Sequence, residues 1–174
     1  DAASVSQRLE MVTRIADEIS GYGAELGTDG RLLSLQLEEL MAGVHSDREL
    51  IARDYLPASR RSRTVEQALQ DLSELTAAEL LDLTNVAKAL GYPGSSETLE
   101  ASVSPRGYRL LYRVPRLPNL VLARIVEHFG ALQKVLAATV DELQDVEGVG
   151  DSRARSVREA LSRLADASII ERYS

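Results

Sequence analysis

Five times along this chain a Ser or Thr stands three residues ahead of a Glu or Gln at the head of a helically spaced apolar run: Ser4/Gln7, Ser46/Glu49, Thr64/Gln67, Thr76/Glu79 and Thr139/Glu142. In such a box the hydroxyl accepts from the N3 amide and the N3 side chain accepts from the N-cap amide, so a new helix satisfies two of its free donors locally. Losing one cap typically costs about 1 kcal/mol. One box is chance; five at these spacings specify an all-α chain. In the first helix, expected over about 5–20, Val5, Leu9, Val12, Ala16 and Ile19 make the apolar stripe. Gly21, Gly23, Gly27 and Thr28-Asp29-Gly30 then break the pattern. Further helices are expected over 32–42, from Ser46 to just before Pro57, over 64–73 and over 77–90. The residue before a proline is biased away from helix.

The polar stretch Ser95–Pro105 marks a domain boundary, giving a helical linker domain over 1–103 and a second domain over 104–174. The second domain opens with a short helix near Arg106-Gly107-Tyr108-Arg109-Leu110-Leu111. Pro118 suits the first position of the next helix, and Gly130 suits its end. Segments 132–138 and 139–146 follow. The last long helix begins at Asp151, with Ala154, Val157, Leu161 and Leu164 as its buried stripe and Arg153, Arg155, Arg158 and Arg163 off it. No segment alternates as a strand would.

Composition removes several chemistries. The absence of Cys excludes disulfides, thiolate catalysis and Cys-type zinc sites, and fits a cytoplasmic protein. No apolar run approaches the length of a membrane span, and no signal-peptide pattern opens the chain. The first residue is Asp and a helical pattern starts almost at once, so the expectation is a fragment of a longer protein. The net charge of −7 is uneven. Residues 104–174 carry 11 Lys and Arg against 9 Asp and Glu, whereas 1–103 carry 9 against 18. The first part repels phosphates and the second does not.

Within the second part, Val146-Glu147-Gly148-Val149-Gly150 stands between two helical segments. Glycine tolerates positive φ and lets another backbone come close. The following helix start offers free N–H groups and the positive end of its dipole, an arrangement that holds phosphate. The expected DNA-binding residues are Gly148 and Gly150 through their amides, Val149 as the inward anchor of the turn, Ser152 through its hydroxyl, and Arg153 and Arg155 through charge. Such contacts position a protein without reading sequence. Glu147 and Asp151 flank the turn and oppose phosphate unless turned away. Val114-Pro115-Arg116-Leu117-Pro118 precedes a helix in the same manner, a weak internal repeat. It lacks both glycines, and Pro118 has no N–H to donate; it is expected to be mainly structural, with Arg116 as its phosphate contact.

Other candidates are weak. His45, expected in a loop, and His128, beside Phe129, have no ligand-spaced partner, so no metal site is expected. Arg60-Arg61-Ser62-Arg63 reads as a short basic connector. No Ser/His/Asp set or phosphate-loop lysine motif occurs, and no catalytic residue is assigned.

The order Val114–Pro118, His128-Phe129-Gly130, Thr139-Val140-Asp141-Glu142-Leu143 and Val146–Gly150 resembles a tandem helix–hairpin–helix domain, similar to those of the UvrC nuclease and the RuvA junction protein. Ser104-Pro105-Arg106-Gly107-Tyr108-Arg109, leading into Pro115-Arg116-Leu117-Pro118, and Arg53-Asp54-Tyr55 narrow the resemblance to the DisA family of bacterial DNA integrity scanning proteins, over nearly the whole chain. The resemblance implies a helical linker and a DNA-binding domain from a diadenylate cyclase. In that family a separate N-terminal domain condenses two ATP into cyclic di-AMP with a divalent metal. The whole protein is an octamer and binds branched DNA such as Holliday junctions, which inhibits synthesis. The family's cyclase signature, Asp-Gly-Ala with Arg-His-Arg, is not in this sequence; Asp29-Gly30 is followed by Arg31. The resemblance therefore implies a non-catalytic part, with ATP and metal belonging to the other domain. The competing reading is a protein–protein or self-association scaffold without DNA binding. A base-excision glycosylase is disfavoured, because Asp166 has no Gly/Pro-rich loop before it.

Overall fold

The computed structural model describes residues 2–23, 26–57 and 63–173 and divides into two compact units, Asp1–Val103 and Ser104–Ser174. All regular structure among the described residues is helical.

The first unit contains α1 (Ala2–Gly23), α2 (Gly27–Met41), α3 (Val44–Tyr55), α4 (Val65–Glu74), α5 (Ala77–Leu81), α6 (Leu83–Ala89) and α7 (Ser96–Glu100). Its apolar centre joins Leu72 of α4, Leu80 of α5 and Val86, Ala89 and Leu90 at α6. Ala52, Leu56 and Ala68 make a second cluster, and Leu69 packs against both.

Of the five boxes, three form completely, at Thr64/Gln67, Thr76/Glu79 and Thr139/Glu142. Ser4 and Ser46 instead lie inside α1 and α3. The α3 helix starts early because Gly43 adopts a left-handed φ of 92° and its carbonyl accepts from the Asp47 amide at 2.7 Å; His45 is thereby helical, not in a loop. Gln7 leaves its box to donate to the Leu80 carbonyl at 2.7 Å. The helix expected over 77–90 is divided at Asp82, whose carboxylate accepts from the Thr84 amide at 2.9 Å and caps α6.

The glycines after α1 do not act as the sequence suggests. Helix α1 continues through Gly21 to Gly23, and α2 already starts at Gly27. A Cβ on Gly30 would collide with the Gly23 carbonyl, so this pair lets two helices cross closely. The α1 stripe is also displaced. Ser6, Glu10, Thr13 and Ala16 are buried, while Val5 and Val12 are exposed. The reason is electrostatic. Glu10, 2 % exposed, pairs with Arg14 at 2.9 Å and with Arg48 of α3, and Arg14 donates to the Leu72 carbonyl at 2.8 Å. This network turns the polar side of α1 inward, and a buried carboxylate is tolerated only with such partners.

The second unit contains α8 (Tyr108–Tyr112), α9 (Asn119–Phe129), α10 (Leu132–Ala137), α11 (Val140–Gln144) and α12 (Asp151–Tyr173). A shift of about 32 positions maps α8–turn–α9 onto α11–turn–α12, a helix–hairpin–helix repeat. Leu111 and Leu143, Val114 and Val146, and Ile125 and Val157 are all buried at corresponding places. The α12 stripe is buried at Ala154, Val157 and Leu161 as its spacing predicts. Gly130 ends α9 with φ 73°, donating to the Val126 carbonyl at 2.8 Å.

Candidate nucleic-acid interface

The second hairpin is held from below and open above. Val146 and Val149 are buried, and the Val149 amide donates to the Val146 carbonyl at 3.0 Å. Between them the chain reverses through Gly148 at φ 88°, a region L side chains avoid. The first helical hydrogen bond of α12 runs from the Ala154 amide to the Gly150 carbonyl at 2.9 Å. Among the described residues, no oxygen accepts from the amides of Gly148, Gly150, Asp151, Ser152 or Arg153. Gly148 and Gly150 are exposed. The turn therefore presents a row of free donors at the positive end of a long helix.

The two glycines have different explanations. Gly148 is required by its φ; a Cβ there would be in ordinary contact with Arg124 Nη1 at 3.4 Å and Val121 Cγ2 at 3.5 Å. A Cβ on Gly150 would meet nothing within 4 Å, and its φ is not positive. Neither backbone conformation nor internal packing demands glycine at 150. What its bare Cα provides is room for another molecule to approach the main chain.

The flanking carboxylates do not stand unopposed. Glu147 is paired with Arg124 of α9 at 3.4 Å, and the same guanidinium donates to the Glu147 carbonyl at 3.3 Å. Asp151 accepts from Arg155 Nε at 3.0 Å. Arg153 folds back to donate to the Gly148 carbonyl, which occupies an acceptor that would oppose an anion. Thus Arg153 and Arg155, expected as phosphate contacts, are both engaged with the hairpin itself, on exposed side chains free to re-pair. Behind the turn, α11 is fixed by its box: the Thr139 amide and hydroxyl hold the Glu142 carboxyl below its ordinary range.

The first hairpin has the same trace. Leu117 donates to the Val114 carbonyl at 3.4 Å and Leu122 to the Pro118 carbonyl at 3.0 Å, matching the Val149 and Ala154 bonds of the second. Arg116 stands where Gly148 does, at φ 60°. A groove of about 510 Å³ runs from this turn to the start of α12, lined by Pro115, Arg116, Gly150, Ser152, Arg153 and Ser156 among others. Five of the expected site residues, Gly150, Ser152, Arg153, Arg116 and the neighbouring Gly148 turn, are thus brought to one end of the unit. Val149 lies beneath, and Arg155 turns to Asp151.

Sequence reasoning missed Arg124, the brace of the second hairpin, because nothing in spacing links α9 to a turn 23 residues on. It also missed Ser156 as a groove residue. Of the basic connector, residues 60–62 lie outside the described residues; Arg63 pairs with Asp71. His128 packs edge-on against Phe129, centroids 4.9 Å apart. Among the described residues there is no cluster of potential metal ligands, and no helix is long and apolar enough to cross a membrane.

Comparison with known proteins agrees with both halves of this description. Residues 1–99 match the family model for the DisA bacterial checkpoint controller linker region, and residues 131–160 match the helix–hairpin–helix motif. The chain is similar to proteins named DNA integrity scanning protein DisA: 66 % identical in Streptomyces avermitilis, 65 % in Streptomyces coelicolor and 67 % in Acidothermus cellulolyticus, each over 175 residues. Those alignments cover 99 % of this chain and 47 % of each relative, so the chain spans about half the length of the proteins it matches. With an all-α linker region followed by a tandem helix–hairpin–helix unit, and with identities of this size along its length, the chain belongs to the DisA family.

Proposed function

We propose that this chain is the DNA-sensing and linker part of a diadenylate cyclase, and that the Gly148–Gly150 hairpin grips the sugar-phosphate backbone of duplex or branched DNA. The single observation that carries this reading is the set of exposed, acceptor-free amides of Gly148, Gly150, Asp151, Ser152 and Arg153, with a glycine at 150 that nothing inside the chain requires. Backbone donors at a helix start suit an anion and ignore base sequence. Occupancy would be relayed through the linker helices to a cyclase domain elsewhere in the whole protein, altering cyclic di-AMP synthesis from ATP. The chain supplies no catalytic residue and holds no ATP or metal of its own in this reading.

The test is a binding titration of this chain against duplex and four-way junction at two salt concentrations. Gly148→Asp with Gly150→Asp is expected to abolish binding while helix content survives. Unchanged affinity of that variant at low salt would reject the site.

A second reading, self-association of the linker, is favoured by one feature. Helix α1 leaves Val12, Ile15 and Tyr22 exposed on one face, and α2 leaves Leu32, Leu35 and Leu40 exposed, Leu40 by 78 %. Exposed apolar side chains grouped along two helices suit an interaction surface. A second copy of the chain is the partner proposed, in keeping with an octameric whole protein. This reading coexists with DNA binding, since it uses the other unit.

A further inference from the structure

The first hairpin lacks both glycines, yet its backbone has the shape that a glycine gives the second. Arg116 holds φ 60° where Gly148 holds 88°, in a region disfavoured for any residue with a Cβ. An outlier of this kind points to function when the side chain has work that glycine cannot do. Arg116 has that opportunity. It is exposed, and among the described residues it has no carboxylate or carbonyl partner, whereas Arg124, Arg153 and Arg155 are each engaged. It also forms one side of the groove whose other side is Gly150, Ser152, Arg153 and Ser156.

Resting on the DNA-binding reading above, we propose that Arg116 makes up for the backbone donor that Pro118 removes from the first hairpin and binds a DNA phosphodiester in this groove, across from the glycine hairpin. The two hairpins then contact the backbone by different chemistry. The second uses fixed amides at a bare glycine turn, which demand close approach. The first adds a long, permanently charged fork that reaches a phosphate at greater distance. Pro118 removes one N–H from the first turn, while the Asn119, Leu120 and Val121 amides have no acceptor among the described residues, like their counterparts in the second; the charge of Arg116 stands in for the one donor the proline lacks.

The test uses the full chain in anisotropy titrations with duplex DNA over a range of salt, alongside thermal melts. Arg116→Gln keeps the backbone strain and removes the charge. It is expected to weaken binding by about tenfold and to flatten the salt slope by about one unit. Arg116→Gly removes the charge and the strain together; it is expected to bind as weakly as Arg116→Gln but to melt at a higher temperature than the wild type. Arg116→Lys is expected to keep the wild-type salt slope. If Arg116→Gln and Arg116→Gly bind with wild-type affinity and slope while Gly148→Asp with Gly150→Asp does not bind, this proposal fails and the glycine-hairpin reading stands. If the wild-type chain binds no DNA at low salt, both fail.

Discussion

At the residue scale, the two hairpin glycines are expected to separate folding from binding. Gly148→Ala forces a Cβ into φ 88° and is expected to lower stability by about 1–2 kcal/mol, read by urea or thermal unfolding. Gly150→Ala meets open space and an ordinary φ, so its melting temperature is expected to match the wild type while its DNA affinity falls. An unstable Gly150→Ala, or one that binds normally, would remove the argument that an outside molecule occupies that space. The pattern apolar–x–Gly–apolar–Gly was legible in the sequence because glycine spacing reports backbone shape directly. The neutralisation of Glu147 by Arg124 was not, since it depends on how α9 lies against a turn 23 residues away. Nor was the left-handed Arg116, because a side chain at that φ violates the rule by which such positions are read.

At the element scale, the boxes that formed and those that did not differ in what lies upstream. Thr64, Thr76 and Thr139 are themselves extended and cap new helices; Ser4 and Ser46 have helix before them and cannot. The α1 stripe misled for a related reason. Periodicity locates an apolar face but does not say whether the folded unit or another molecule covers it, and Glu10 with its two arginines turned the other face inward. The caps carry a pH dependence of definite sign. Glu142 and Glu79 are held below the ordinary carboxylate range, Glu142 by the Thr139 amide and hydroxyl, Glu79 by the Thr76 hydroxyl and amide. A depressed folded-state value means their stabilisation is complete above the unfolded value near 4.5 and is lost as pH falls through the lower folded one. Glu142→Gln, which keeps the box uncharged as Gln67 does at Thr64, is expected to fold normally at pH 7 and to lose less stability on acidification. Parallel pH–stability curves for variant and wild type would contradict this. Thr139→Ala is expected to cost about 1 kcal/mol at neutral pH. In α12, Leu161→Ala removes a fully buried side chain and is expected to cost about 2–5 kcal/mol.

At the scale of the molecule, the two units differ in what they expose. The first is acidic overall and exposes apolar side chains along α1 and α2; Ile15→Glu with Leu35→Glu is expected to reduce any concentration-dependent association seen by light scattering, with DNA affinity per chain unchanged. The second exposes free amides and a groove with arginines, and its affinity for DNA is expected to fall steeply with salt. The all-α class was legible from the caps and periodicities because helix signals are local. The exposed apolar face of α1 was not, since it follows from what the fold leaves uncovered. The central claim concerns five main-chain N–H groups, and amide-resolved NMR addresses them directly. On titration with a short duplex at low salt, the amides of Gly148, Gly150, Asp151, Ser152 and Arg153 are expected to show the largest shift changes, reversed by added salt. Shifts confined to other parts of the chain, or none at all, would contradict the account.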